Sequence, residues 1–148
     1  MALPHPTGPE DVAALDGRIV KTMEGVRAGE PRFGASSHVA RIVLTVMRFD
    51  PAMRAALNLR YDEGLLEALK GAGLRISSFD RAVEPEEIRA VEGATLPWGV
   101  EEAIRSSGGT VPDVIYDRGG PGKEPMVRVL ARSALEAVEK VLKALRSA

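Results

Sequence analysis

Strand-like and helix-like patterns alternate along most of this sequence. Short strand-like runs occur at 17–22, 55–61, 74–79, 111–116 and 126–130, and segments with apolar residues at helical spacing occur at 36–50, 62–71, 84–92, 97–106 and 133–145. Strands that alternate with helices predict an α/β fold, because the helices cover the sheet formed by the strands. We therefore expect a single domain, residues 1–148, in which a mixed β-sheet is flanked by helices on both faces.

The mixed character of the sheet is predicted from one short connection. The strand-like runs at 111–116 and 126–130 are joined by a glycine-rich segment that is too short for a parallel crossover. These two strands should therefore pair antiparallel.

The two ends of the chain have different patterns. The first nine residues contain three prolines, so residues 1–16 are expected to form an extended or loop segment. The helix predicted at 133–145 carries one apolar stripe, which we expect to face the core. The stripe consists of Leu135, Val138, Val141, Leu142 and Leu145.

Charge and composition exclude several classes of partner and site. The formal net charge is −1, which predicts no partnership with nucleic acid or with an anionic membrane. The chain has no cysteine, so a disulfide framework and a thiolate nucleophile are excluded. No apolar run reaches the roughly 20 residues of a membrane span, and no signal-peptide pattern is visible, so the expected location is the cytoplasm.

A glycine-rich, charged loop follows the strand at 111–116. Glycine allows a close backbone approach to a ligand, and the N–H groups of such a turn can bind an anion. The loop lacks the Lys-Ser or Lys-Thr pair of a Walker A sequence. We predict that it binds a phosphorylated ligand. Its candidate residues are Asp117, Arg118, Gly119, Gly120, Gly122 and Lys123.

A second candidate anion site lies at the start of the helix predicted near residue 36. Ser36, Ser37 and His38 fall at its N-terminus, where unpaired N–H groups and the helix dipole favour phosphate. Arg32 and Arg41 could add positive charge. His38 could act as a general acid or base, whereas Arg41 and Ile42, three and four residues further on, do not support a metal site. The alternative is a serine-capped helix with a solvated histidine.

Three further residues are candidates for substrate contact. Asn58 and Arg60 alternate with leucines, so both should lie on one face of a strand. They could bind a ligand there, or Arg60 could pair with a neighbouring carboxylate. Trp98 could stack on an aromatic ligand or simply anchor packing.

Two carboxylates directly follow predicted strands. Asp80 and Asp117 would lie at the carboxyl ends of the strands, where ligands bind in α/β sheets. They are candidate Mg²⁺ ligands, since Mg²⁺ is usually shared between carboxylates and substrate phosphates. The alternative is a pair of turn aspartates that accept backbone hydrogen bonds.

Six ordered blocks together resemble one family, the ThiN thiamine-phosphate synthase domains. The resemblance extends from about residue 17 to the final helix. The blocks are GRIV at 17–20, RFGASSHVARIVLTVMRFDP at 32–51, LNLRY at 57–61, SFDR at 78–81, LPWGVEEAI at 96–104 and PDVIYDRGGPGKEPMVRVL at 112–130.

The resemblance implies an activity and site residues. The family joins hydroxymethylpyrimidine diphosphate to hydroxyethylthiazole phosphate, which gives thiamine phosphate and pyrophosphate. Its catalytic arginine and histidine correspond to Arg18 and His38, with Arg32 as the fallback for the arginine. The expected cofactor is Mg²⁺.

The resemblance also leaves alternatives open. The family domain often follows a hydroxymethylpyrimidine kinase domain, so the chain is either a stand-alone protein or a domain of a longer one. ThiN-like domains also act as thiamine-phosphate sensors in transcriptional regulators. Arg18 and His38 favour the enzyme. A homodimer is an alternative to the monomer.

Overall fold

The computed structural model describes residues 1–147. The strands are β1 (Ala13–Leu15), β2 (Val20–Thr22), β3 (Gly25–Arg27), β4 (Pro31–Phe33), β5 (Ala55–Arg60), β6 (Ile76–Ser78), β7 (Val114–Asp117) and β8 (Met126–Ala131). The helices are α1 (Ser37–Met47), α2 (Glu63–Gly71), α3 (Glu86–Arg89), α4 (Thr95–Ser106) and α5 (Ala134–Ser147). Short 3₁₀ turns occupy Pro9–Asp11 and Arg81–Val83.

The central sheet has four strands in the order β5–β8–β7–β6. Strand β8 pairs antiparallel with both β5 and β7, whereas β6 and β7 are parallel. The prediction of a mixed sheet, with an antiparallel pair across the glycine-rich loop, is therefore confirmed. Two separate antiparallel pairs, β1–β4 and β2–β3, lie outside this sheet.

Helices cover both faces of the central sheet, as predicted. Alternate residues of β7 point to opposite faces, so Ile115 packs with α1 and α4 while Val114 packs with α2 and α5. Strand β8 divides in the same way, with Leu130 on the first face and Val129 on the second. The two layers of aliphatic side chains hold the sheet between the helices by removing apolar surface from water.

The helices α1 and α4 both begin at the same end of the sheet. Phe79 contacts Trp98 near the start of α4, whereas Ser77 donates a hydrogen bond to the carbonyl of Ala103 further along that helix. Helix α4 therefore runs antiparallel to β6. Helix α1 lies alongside it, because its end is tied to α4 by the ion pair between Arg48 and Glu101. Both helix N-termini thus lie near the carboxyl ends of β5, β6 and β7.

The two chain ends depart from the predictions. Residues 1–16 contain β1, which pairs with β4, in addition to extended segments. In α5, Val141 is the single member of the predicted stripe that is buried, and the helix packs through Ala137, Val141 and Ala144. The other four members of the predicted stripe, Leu135, Val138, Leu142 and Leu145, are exposed. No helix within residues 1–147 is long and apolar enough to cross a bilayer.

Candidate active site at the carboxyl ends of the strands

A buried charge cluster lies where β7 and β8 meet. Asp117 Oδ1 accepts a 2.6 Å hydrogen bond from Arg81 Nε, and Asp117 Oδ2 lies 2.8 Å from an Arg128 terminal nitrogen. The side chains of Asp117 and Arg128 are 0% and 3% exposed, and that of Arg81 is 12% exposed. We call these three residues the arginine cluster. Its members come from β7, β8 and the 3₁₀ turn after β6.

The arginine cluster is held in its charged form by its own contacts. Burial alone would raise the pKa of Asp117, but the hydrogen bond from Arg81 and the positive charge of Arg128 bring that pKa below its usual value of 3.8. Burial lowers the pKa of Arg128, although the charge of Asp117 opposes that shift. At neutral pH the cluster therefore contains two cations and one anion.

Phe79 supports both guanidinium groups of the cluster. The guanidinium carbons of Arg81 and Arg128 each lie 5.5 Å from the centre of the Phe79 ring, a distance typical of cation–π contact. Trp98 packs edge-on against the same ring at 6.1 Å. Gly99 is required here, because a Cβ at that position would lie 2.4 Å from the Phe79 ring. Trp98 is half-buried, and its contact with Phe79 is the packing role that was one of its two predicted roles.

The glycine-rich loop between β7 and β8 is a tight turn joined to the cluster. Gly119 N–H donates to Asp117 Oδ1 at 2.9 Å, and Gly120 and Lys123 exchange two backbone hydrogen bonds. Gly119 has a φ of +76°, and a Cβ there would lie 2.4 Å from the carbonyl oxygen of Lys123. These three amides have partners within the protein. The amides of Gly119, Gly120 and Lys123 are therefore not free to bind an anion, whereas the side chains of Arg118 and Lys123 are exposed.

The exposed end of β5 extends the positively charged surface. Asn58 lies directly opposite Arg128 in the β5–β8 ladder, and Arg60 lies opposite Met126. Both side chains are exposed and point to the face covered by α1 and α4. The predicted common face is confirmed, and it is the face that contains the arginine cluster.

The N-terminus of α1 has the predicted capping geometry. Ser36 is the N-cap, and its Oγ accepts a hydrogen bond from Val39 N–H at 3.3 Å. Ser37 and His38 are exposed in the first turn. One turn later the guanidinium of Arg41 lies against Gly93. A Cβ at position 93 would be 2.4 Å from the Cζ atom of Arg41. This contact links the start of α1 to the segment that leads into α4.

Replacement of Ser36 by alanine should destabilise α1. The change removes the cap of an N–H group that has no partner within the helix, so we expect a loss of about 1 kcal/mol of unfolding free energy. Urea denaturation measures the loss. Ser37→Ala is the matched control, because Ser37 is exposed and its side chain makes no cap contact, and it should leave the midpoint nearly unchanged. Equal losses in both variants would contradict the capping role of Ser36.

The two remaining predicted arginines lie outside this cluster. Arg32, on β4, forms an exposed two-bond contact with Asp16, and this contact raises its pKa. Arg18 is exposed in the bend between β1 and β2. The β1–β4 ladder separates Arg18 from α1, since the Phe33 end of β4 leads into α1 while the Pro31 end lies towards Arg18. The structure therefore brings His38 to the strand ends but leaves Arg18 on a separate exposed segment.

The two predicted metal ligands have different surroundings. The oxygens of Asp117 are engaged by Arg81, Arg128 and Gly119, an arrangement that suits an arginine anchor rather than a metal ligand. Asp80 is exposed, and its Oδ1 accepts a hydrogen bond from Ala82 N–H at 2.8 Å. Within residues 1–147, no group of three or more acidic or histidine side chains is close enough to enclose a metal ion. Asp80 alone fits Mg²⁺, provided that phosphate oxygens and water supply the other ligands.

A shallow open cavity of about 310 Å³ lies at the carboxyl ends of β6 and β7 and shares Phe79 with the surroundings of the cluster. It is lined by Ser78, Phe79, Asp80, Tyr116 and Arg118. Asp80 and Arg118 thus border the same space, which is large enough for part of a small phosphorylated molecule. The exposed Arg118 also lies 3.5 Å from Glu63.

Arg81 and Arg128 are site residues that the sequence patterns did not predict. One signal was available, because Arg128 interrupts the apolar run MVRVL of β8 and a charge is rarely buried there without a partner. Arg81 begins the 3₁₀ turn that comes shortly after β6, next to the predicted Asp80. Their common contact with Asp117 depends on the order of the strands in the sheet, which the sequence does not specify.

Comparisons with known proteins agree with this architecture. The model of the family described as "Thiamine-phosphate synthase ThiN" matches residues 1–143. A Methanothermobacter thermautotrophicus protein named "Thiamine-phosphate synthase ThiN" is 45% identical over 99% of this chain and 77% of its own length. A "Bifunctional thiamine biosynthesis protein ThiDN" from Methanocaldococcus jannaschii is 49% identical over 95% of this chain, which spans 32% of that protein.

A solved structure shows the same fold. The crystal structure of a "C-terminal domain of phosphomethylpyrimidine kinase" superposes with a TM-score of 0.90 at 46% identity, covering 97% of this chain and 81% of the other. This chain spans 77% of the first of these relatives and 32% of the longer bifunctional one. Their names favour the enzyme over the sensor. The chain belongs to the family of ThiN thiamine-phosphate synthases.

Proposed function

We propose that this chain joins hydroxymethylpyrimidine diphosphate to hydroxyethylthiazole phosphate at the carboxyl ends of β5, β6 and β7. The observation that carries the proposal is the concentration of cations at that end of the sheet. Arg60, Arg81 and Arg128 come from three different elements on the face covered by α1 and α4, and Arg118 follows β7 at the same end of the sheet, beside Glu63 at the start of α2. Two anionic substrates require such a surface, because cations and helix N-termini both stabilise phosphate oxygens.

The reaction needs charge stabilisation and alignment more than proton transfer. The C–O bond between the pyrimidine methylene and the diphosphate breaks, and its electron pair leaves with pyrophosphate. The thiazole nitrogen donates its lone pair to the same carbon, which forms the new C–N bond and a thiazolium cation. The aminopyrimidine ring can support positive charge on the methylene, so stabilising the leaving group lowers the barrier. Holding the thiazole in line lowers it further.

We assign His38 and Arg18 to the leaving diphosphate. His38 lies in the first turn of α1, where its ring N–H can donate to a phosphate oxygen held by the helix N-terminus. Arg18 is exposed on a segment that the β1–β4 ladder separates from α1, so it reaches this diphosphate only if that segment moves on substrate binding or a second copy of the chain supplies the arginine. Its planar guanidinium then suits two-bond contact. The exposed side chains of Arg118 and Lys123 are assigned to the phosphate of the thiazole.

Mg²⁺ is proposed as the cofactor, with Asp80 as its protein ligand. The ion would neutralise part of the negative charge of the diphosphate. Asp80 is exposed next to the cavity, so its carboxylate can share an ion with a bound substrate. The chain's own contribution at this point is to hold Asp80 in place through the hydrogen bond from Ala82.

A turnover assay tests the function. The purified chain is incubated with both substrates and Mg²⁺, and thiamine phosphate is detected after oxidation to its fluorescent thiochrome. We expect product that depends on both substrates and on the chain. The absence of product, together with tight binding of thiamine phosphate by the same preparation, would overturn the enzymatic proposal and favour the sensor.

A further inference from the structure

The arginine cluster has a positive charge that the protein itself does not balance. Asp117 pairs with both Arg81 and Arg128. Within the part of the chain that the structure describes, Asp117 is the single carboxylate in an ion pair with either guanidinium. A buried cation without a full counter-charge is costly, so proteins retain one mainly where it serves a purpose.

One nitrogen of the cluster also lacks a hydrogen-bond partner. Arg128 Nε is buried and unpaired, and the contact of another Arg128 nitrogen with the Met126 carbonyl is long at 3.5 Å. Arg128 is 3% exposed, so water does not readily satisfy this group. Burial also lowers the pKa of Arg128, in line with an incompletely compensated charge.

The glycine-rich loop and a cavity both lie next to the cluster. Arg81 is the most exposed of the three side chains, and a Cβ at Gly120 would come within 3.7 Å of it, so the glycine-rich loop lies directly over Arg81. The cavity bordered by Phe79 and Asp80 shares Phe79 with the cluster, although the side chains of Arg81, Arg128 and Asp117 do not line it. Asn58, opposite Arg128, adds an exposed amide on the same face of the sheet.

We infer that Arg81 and Arg128, held in place by Asp117, form the base of a subsite for a phosphoryl group. This inference rests on the proposed function for the identity of the ligand, which is a phosphorylated substrate or the pyrophosphate product. Arg81 contacts the anion, and Arg128 supplies positive charge beneath it. The subsite is separate from the N-terminus of α1 and lies next to the glycine-rich loop.

The inference makes an unusual prediction for Arg128→Met. A structural role for Arg128 predicts that the variant is less stable. If Arg128 instead serves to bind an anion, its replacement by methionine leaves a neutral Arg81–Asp117 pair and an apolar side chain that can pack against Phe79. Without ligand, its melting temperature should therefore equal or exceed that of the unmodified chain. Its affinity for inorganic pyrophosphate should fall by about tenfold or more.

Calorimetric titration and thermal melting of the full chain test this inference. The probes are inorganic pyrophosphate and inorganic phosphate, and the variants are Arg128→Met, Arg81→Gln and the control Arg105→Gln. Arg105 lies in the last turn of α4, at the opposite end of the sheet, and is 66% exposed. We expect both cluster variants to lose affinity for the anions and the control to keep it.

The unmodified chain identifies the ligand of the subsite. Tighter binding of pyrophosphate than of phosphate would assign the subsite to the diphosphate, and equal binding would assign it to the monophosphate.

Other results would overturn the inference. These are unaltered anion affinity in both cluster variants, failure of the unmodified chain to bind either anion, or loss of folding in Arg128→Met with normal affinity in Arg81→Gln. The turnover assay is independent of these measurements. A chain that makes thiamine phosphate but binds anions equally well without Arg128 refutes the subsite alone. A chain that binds anions through Arg128 but makes no product refutes the proposed function alone.

Discussion

His38→Ala should lower kcat by about 10²–10³-fold, because the variant lacks a donor that stabilises the departing diphosphate in the transition state. His38 is exposed in the first turn of α1, so its removal should leave the unfolding free energy nearly unchanged. A loss of activity without a loss of stability is the expected signature. Steady-state assay of thiamine phosphate and urea denaturation of the same preparation measure the two effects.

The second histidine of the chain is the matched control for His38. His5 is exposed in the N-terminal segment and has no assigned role, so His5→Ala should retain full activity. His38→Gln keeps an N–H donor at a similar distance and should recover part of the lost rate. If His38→Ala keeps kcat within about twofold of the unmodified chain, His38 is a solvated helix residue, and the assignment to the leaving group is wrong.

The sequence predicted the architecture well because local signals and burial agree there. Ser36 and Asp62 are side chains suited to cap helices, and both accept a hydrogen bond from the first turn of α1 and α2. The short glycine-rich connection required an antiparallel β7–β8 pair, and the structure contains it. These features depend on neighbours in the sequence, so the residues alone were sufficient.

The arginine cluster was not predicted because its contacts are distant in the sequence. Arg81 and Asp117 are 36 residues apart, and they meet because β6 and β7 are neighbours in the sheet. Asp117 was predicted as a metal ligand that follows a strand. It is instead the last residue of β7, and the sequence did not reveal the two guanidinium groups beside it. The stripe of α5 shows the same limit, since alanines rather than leucines face the sheet.

Asp117→Asn should be the most destabilising single change in the candidate site. The variant removes the one negative charge that pairs with Arg81 and Arg128, and it leaves two guanidinium groups buried without a counter-charge. Breaking a buried ion pair by removing one partner typically costs about 3–5 kcal/mol, a large part of the stability of a domain of this size. Urea denaturation at neutral pH measures the loss. Asp16→Asn, which affects an exposed pair with Arg32, is the control and should change the midpoint little.

The pH dependence of stability should identify the charge of Asp117 as the cause. The pKa of Asp117 is lowered in the folded protein, so the unfolded chain binds a proton more readily, and the stabilisation from Asp117 is complete above the usual value of 3.8. It is lost as the pH falls through the lowered folded pKa. The difference in unfolding free energy between the unmodified chain and Asp117→Asn should therefore be constant near neutral pH and shrink below about pH 4.

In the Arg128→Met background one buried cation is already absent, so Asp117→Asn should cost less unfolding free energy there. An undiminished cost in the double variant would show that Asp117 stabilises the loop through Gly119 rather than by balancing the two arginines.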